Sequence, residues 1–180
     1  MPGTDTFPPL KNAADEVAVS LNNFRKSSRG EWYLVVQAGL FLLLIVGPHS
    51  FKWMSEWRSP CTWISSLAGC ILLLAGILLA TCGALNLGRN LTPLPLPKEN
   101  ATLVVSGAYR FVRHPIYSGI TFMAFGWGLW LHSWLTIGYA LLLFAFFDGK
   151  SRFEERMLEE RFPEYSAYRK RVRKLLPYVY

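Results

Sequence analysis

Three stretches of this chain, 32–51, 59–88 and 115–147, contain no Asp, Glu, Lys or Arg, and they run for 20, 30 and 33 residues. A soluble helix keeps one wet face and interrupts such a run every few residues, so these are the lengths of membrane-crossing segments. The chain therefore reads as an integral, multi-pass membrane protein whose charge is gathered at its ends. Its 52% hydrophobic and 17% charged content also excludes a disordered or collagen-like chain. A mean hydropathy of only +0.22 does not weaken the reading, because polar ends dilute the mean.

The first run predicts a span over 31–47, closed by Pro48, which cannot continue the backbone ladder. The second predicts a span over 63–87, where Gly69, Gly76 and Gly83 recur every seven residues and mark a face open to close approach by a neighbouring backbone. The third run is too long for one span: at ~1.5 Å per residue it would make ~50 Å of helix against a ~30 Å hydrocarbon core. A hairpin of two spans, 116–131 and 134–148, fits instead. It turns at His132-Ser133 between the interfacial aromatics Trp130 and Trp134, with His132 read as a surface histidine. The short arms imply tilt, or continuation of the last helix past Asp148. The predicted fold class is thus all-α. It is an integral membrane helical bundle of about four transmembrane helices, the last two a short hairpin, with cytosolic amphipathic helices over 150–176.

Basic residues set the orientation. Lys and Arg number four before residue 31, two in the loop holding Lys52 and Arg58, four across 89–113, none at the His132 turn and nine in the C-terminal segment. Four spans place 17 of the 19 on one side, which the positive-inside rule makes the cytosol, together with both termini. A single third span would split them. The net charge of +7 then reads as attraction to anionic lipid headgroups, with no nucleic-acid partner expected. Residues 1–30 are expected to form a cytosolic arm and 31–180 one membrane domain. No apolar h-region precedes residue 31, so no cleavable signal is expected, and a bacterial inner membrane is the expected location. Cys61, Cys70 and Cys82 lack CxxC spacing, so neither a disulfide nor a metal site is expected.

The informative polarity lies in the cytosolic loop 88–115 and after Asp148. Pro93, Pro95 and Pro97 favour an extended path. Residues 102–105 suit a short extended piece ending in a Ser106-Gly107 turn. Pro115 suits a first helical turn, whose N–H groups are open to an anion. Beyond the last span, Phe153, Met157, Leu158, Phe162, Tyr165, Tyr168 and Val172 recur at helical spacing, and Pro163 divides the segment in two. Lys150 and Glu154 share a helix face, with Glu155 about a quarter-turn away. Taken singly, Arg113-His114-Pro115 is a basic anchor with a helix-start proline, Glu154-Glu155 a solvated face, and Tyr109 and Tyr117 interface aromatics.

Taken in order they say more. Leu103-Val104, Gly107-x-Tyr109, Arg113-His114-Pro115-x-Tyr117, a short hairpin, Glu154-Glu155, Phe162-x-x-Tyr165-x-x-Tyr168 and a terminal Leu-Pro together resemble the isoprenylcysteine carboxyl methyltransferase family. That family is related more distantly to the phospholipid methyltransferases, and the resemblance covers roughly 87–177. It implies S-adenosylmethionine-dependent methyl transfer to a lipophilic small-molecule or prenylated acceptor drawn from the bilayer, foremost a carboxylate of the isoprenylcysteine type. It implies cofactor contacts from Leu103, Val104, Tyr109, His114, Pro115, Ile116, Tyr117 and Glu154. Glu154 would pair the cofactor's ammonium, while His114 and the following helix start would receive its carboxylate. Lys150 stands where the family has an arginine implicated in acceptor binding and catalysis, and offers a point charge in place of a fork. A carboxylate acceptor needs no base; a lipid amine or a thiol would, and Glu155 or Tyr109 would be the candidates. The alternatives are a nicotinamide-dependent reductase of the sterol-reductase type, binding phosphate through Arg110, Arg113 and Arg152, and a non-catalytic membrane adaptor.

Overall fold

The computed structural model describes residues 31–51, 57, 62–92, 94, 102–177 and 179–180. The arm 1–30, Lys52, Arg58, Cys61 and the three prolines Pro93, Pro95 and Pro97 lie outside the described residues. Among those described, the regular structure is helical: α1 (Glu31–Val46), α2 (Thr62–Leu87), α3 (Pro115–Trp130), α4 (Trp134–Arg161) and a short α5 (Tyr165–Arg171). Tight 3-10 turns occupy Gly88–Asn90 and Gly107–Arg110. Local chemistry sets the ends. Pro115 takes the first position of α3, where its missing N–H leaves no ladder bond unmade. Ser133 caps α4 by accepting from the Thr136 N–H at 3.0 Å. α4 stops where Phe162 turns extended ahead of Pro163.

The four long helices alternate in direction. Tyr33, Gln37 and Phe41 on α1 meet Phe153, Lys150 and Phe147 on α4, and His49 just beyond α1 meets Thr136, so that pair is antiparallel. α2 and α3 are also antiparallel and touch backbone to backbone. A Cβ at Gly76 would lie 2.5 Å from the Gly119 carbonyl oxygen, and one at Gly119 would lie 2.5 Å from that of Gly76. Gly69 and Gly126 block each other in the same way, at 2.8 and 2.7 Å. Only hydrogen fits at these crossings, so the glycine stripe of α2 has its match in a second seven-residue stripe on α3.

The core lies between α3 and α4 at Ala124, Ala140, Leu143 and Phe147, with Leu40, Phe41 and Leu44 of α1 packed on it. α2 buries only its three glycines. Leu67, Ile71, Leu74, Leu78 and Leu85 stay exposed along it, which in water would be a large apolar patch. By length and composition, Thr62–Asn90 is the one described helix long and apolar enough to cross a membrane.

Two expectations need correction. The C-terminal helix ends at Arg171 rather than 176, because the backbone N–H groups of Arg113 and His114 take the carbonyls of Arg173 and Lys174, at 2.8 and 3.2 Å. Those donors would otherwise lack partners. The tail so becomes a strap across 112–114, pinned by Lys174 Nζ on Asp148 Oδ1 at 2.6 Å and by buried Leu175. His132 is not a bystander on the surface. It adopts a left-handed φ of 52° and is half-buried, with Nε2 at 3.2 Å from Ser66 Oγ and 3.1 Å from the Thr62 carbonyl, tying the hairpin turn to the start of α2.

Candidate active site

Where α2 ends, α3 begins and α4 leaves the bundle, the chain encloses a cavity of about 380 Å³, within the size range of small-molecule sites. Leu91, Leu103, Val104, Ile116, Ile120 and Leu158 give it apolar walls, and His114, Tyr117, Lys150 and Glu154 give it charge and hydrogen-bonding groups.

His114 organises the charge. Its Nδ1 lies 3.5 Å from Glu154 Oε2 and its Nε2 lies 3.2 Å from Glu155 Oε1. A neutral imidazole has one N–H, so only the imidazolium donates to both. Burial pulls the His114 pKa down, but the bonds to Glu154 and Glu155 outweigh it and hold the net value above the ordinary one. For Glu155, burial acts upward and is overcome by His114 and Arg113, which bring its carboxyl to about 2. Arg113 reaches Glu155 Oε1 through Nε at 2.8 Å and donates from Nη1 to the Arg169 and Val172 carbonyls, at 3.0 and 2.5 Å.

The adjacent glutamates are thereby given different work. Glu155 is 3% exposed and stands behind the cavity wall, whereas Glu154 is 16% exposed and forms part of it. Glu154 also accepts the Tyr117 hydroxyl. The Tyr117 ring lies between the His114 ring, at 5.5 Å and 7°, and the Phe147 ring, at 4.6 Å and 10°. Lys150 is buried, one helical turn from Glu154, and its Nζ donates to Gln37 Oε1 at 2.8 Å. Burial lowers the lysine's pKa, and the Glu154 charge opposes that.

The phospholipid methyltransferase family model matches residues 64–165, which takes in α2, α3, α4 and the charged residues of the cavity. The chain belongs to this family. A probable protein-S-isoprenylcysteine O-methyltransferase of Oryza sativa subsp. indica is 30% identical over 121 residues, 65% of this chain and 63% of the relative. The protein-S-isoprenylcysteine O-methyltransferase of Saccharomyces cerevisiae is 30% identical over 181 residues, 98% of this chain and 72% of the relative. The cobalt-zinc-cadmium resistance protein CzcN of Cupriavidus metallidurans is 32% identical over 160 residues, 88% of this chain and 68% of the relative. The chain thus spans less than two thirds of the rice relative's length.

Of the residues that the family resemblance singles out, Leu103, Val104, Tyr109, His114, Ile116, Tyr117, Lys150 and Glu154 line the cavity, while Pro115 and Glu155 do not. Pro115 packs under α2 at Gly83. Glu155 stands off the cavity, bonded to Arg113 and His114, which hold its carboxyl well below the usual carboxylate range. Both nitrogens of His114 face the glutamates, and its ring also lines the cavity. The arginines a reductase would need are engaged elsewhere or lie outside. Arg113 is on Glu155, Arg152 is on Asp148 at 2.7 Å, and Arg110 is exposed beyond the wall.

Sequence reasoning missed Gln37, Asn90 and Thr92. A lone amide in the apolar run of α1 is the signal that marks Gln37, since a polar side chain among so many apolar ones needs a reason. Asn90 donates to the carbonyl of Thr102, another lining residue, at 3.1 Å. Tyr165 lines the cavity too, and its buried hydroxyl has no partner among the described residues, a polar atom left for a ligand to satisfy.

Proposed function

We propose that this chain is a membrane-embedded, S-adenosylmethionine-dependent methyltransferase that esterifies the carboxylate of a lipophilic acceptor of the isoprenylcysteine type. The observation that carries the reading is the convergence of Glu154, Tyr117, Tyr109 and Lys150 on one largely apolar cavity. The lining fits the cofactor. Glu154 suits its ammonium, the Tyr109 and Tyr117 faces suit a sulfonium, Leu103, Val104 and Leu158 suit a flat heterocycle, and the unpaired Tyr165 hydroxyl suits a polar edge.

Bound there, the cofactor supplies an electrophilic methyl group. The protein's part is placement. His114 and Tyr117 hold the Glu154 carboxylate in one orientation, and the first turn of α3 offers the N–H groups of Ile116 and Tyr117 to an anion. Lys150 neutralises the acceptor carboxylate, which is ionised at neutral pH and needs no base. The enclosing helices exclude water and align the reacting groups, which is where an in-line displacement gains most of its rate.

In this reading the four antiparallel helices cross a bilayer, a bacterial inner membrane, with the cavity end and both termini in the cytosol. The 17 of 19 basic residues that then share one side support that orientation. Membranes holding the protein, given methyl-labelled S-adenosylmethionine and N-acetyl-S-farnesylcysteine, should yield a product that releases labelled methanol in base. No product, or a label that survives base, contradicts the reading.

A further inference from the structure

Gln37 is the one amide in α1, and its Oε1 accepts from Lys150 Nζ at 2.8 Å. Both residues line the cavity. The amide's other end carries two N–H groups, and among the described residues Nε2 has no hydrogen-bond partner. Lysine offers a carboxylate a point charge, whereas two carboxylate oxygens are best met by two parallel donors, as an arginine fork provides. An amide whose oxygen already accepts from an ammonium is polarised, which strengthens its N–H groups as donors.

Resting on the methyltransferase reading above, we propose that Gln37 is a specificity-determining residue: with Lys150 it forms a two-donor clamp, on adjacent helices, for the acceptor's carboxylate. The clamp also says what is refused. Among the described lining residues, a protonated amine headgroup would meet the Lys150 ammonium and a single carboxylate, Glu154, which the cofactor requires. The acceptor class is therefore an acid and not a lipid amine.

The test uses the full chain in detergent, saturated with S-adenosylhomocysteine, and measures dissociation constants for N-acetyl-S-farnesylcysteine and its carboxamide. The wild type should prefer the acid. Gln37→Leu should reduce that preference about tenfold, the effect of one hydrogen bond to a charged group, with S-adenosylhomocysteine affinity unchanged. Gln37→Glu, which pairs with Lys150 and repels the acid, should reverse the preference, and serves if the leucine variant does not fold. In a Lys150→Arg background, Gln37→Leu should change the preference less than about threefold, because the guanidinium brings both donors. A purely structural tie between α1 and α4 would leave the acid-to-carboxamide ratio unmoved in every variant. An unmoved ratio, or a wild type that binds S-adenosylhomocysteine without preferring the acid, overturns the clamp alone. A wild type that does not bind S-adenosylhomocysteine overturns the methyltransferase reading and the clamp with it.

Discussion

At one end of the bundle His114 sits between two carboxylates beside a cavity; at the other, His49 and His132 sit among hydroxyls and carbonyls. The far end closes on itself. Ser133 Oγ donates to the His49 carbonyl at 2.5 Å and accepts from the Thr136 N–H, His49 Nδ1 meets Thr136 Oγ1 at 3.0 Å, and the Tyr139 hydroxyl takes the Pro48 carbonyl at 3.2 Å. Those contacts join neighbours and involve no carboxylate or ammonium. At the near end Glu154 and Lys150 keep their charge on a cavity wall, and the Tyr165 hydroxyl is left unpaired among the described residues. Similar residue types at helix ends thus make a cap where the described hydroxyls and imidazoles bond one another and nearby carbonyls, and a site where charge is held facing a cavity.

Substitutions at the two ends should separate these roles. The largest effect is expected for Arg113→Ala, which strips the buried Glu155 of its shortest ion pair and removes the side-chain bonds to the Arg169 and Val172 carbonyls. Breaking a buried pair in this way costs about 3–5 kcal/mol, readable as a lower unfolding midpoint in detergent. A loss below about 1 kcal/mol would mean the pair is no anchor.

The pH dependence should be next in size. The raised His114 pKa contributes stability that is fully present below its ordinary 6.5 and lost as pH rises through the higher folded value. The lowered Glu155 pKa contributes stability present above its ordinary 4.5 and lost as pH falls toward 2. The thermal midpoint should therefore decline on the alkaline side of a plateau between those values, and His114→Gln should flatten that decline. The same slope in wild type and variant would place the titration elsewhere. The smallest effect belongs to the far end. Ser133→Ala should lose about 1 kcal/mol with its cap and leave S-adenosylhomocysteine affinity untouched. A change in affinity would dissolve the contrast between the ends.

Local chemistry made much of this legible in the sequence. Pro48, Pro115 and Pro163 mark helix ends because a ring without an N–H acts on its own neighbours. The glycine stripe of α2 was readable for its spacing, although its partner stripe on α3 emerges only when the two helices are set side by side. The strap was not readable, since Val172 leaves the helical path for backbone bonds to residues some sixty positions earlier. Glu154 and Glu155 are alike in sequence, and about 100° of helix rotation puts one on the cavity and the other behind it. Gln37 needed α1 laid against α4 before its partner could be named.

The most direct test of Glu154 as the anchor of the cofactor is a calorimetric titration of S-adenosylhomocysteine into the detergent-purified protein, run beside Glu154→Gln. The expected result is one-to-one binding by the wild type, weakened at least about tenfold in the variant, both measured well below their thermal midpoints. Equal affinity in the two proteins, or no binding by the wild type, would contradict it.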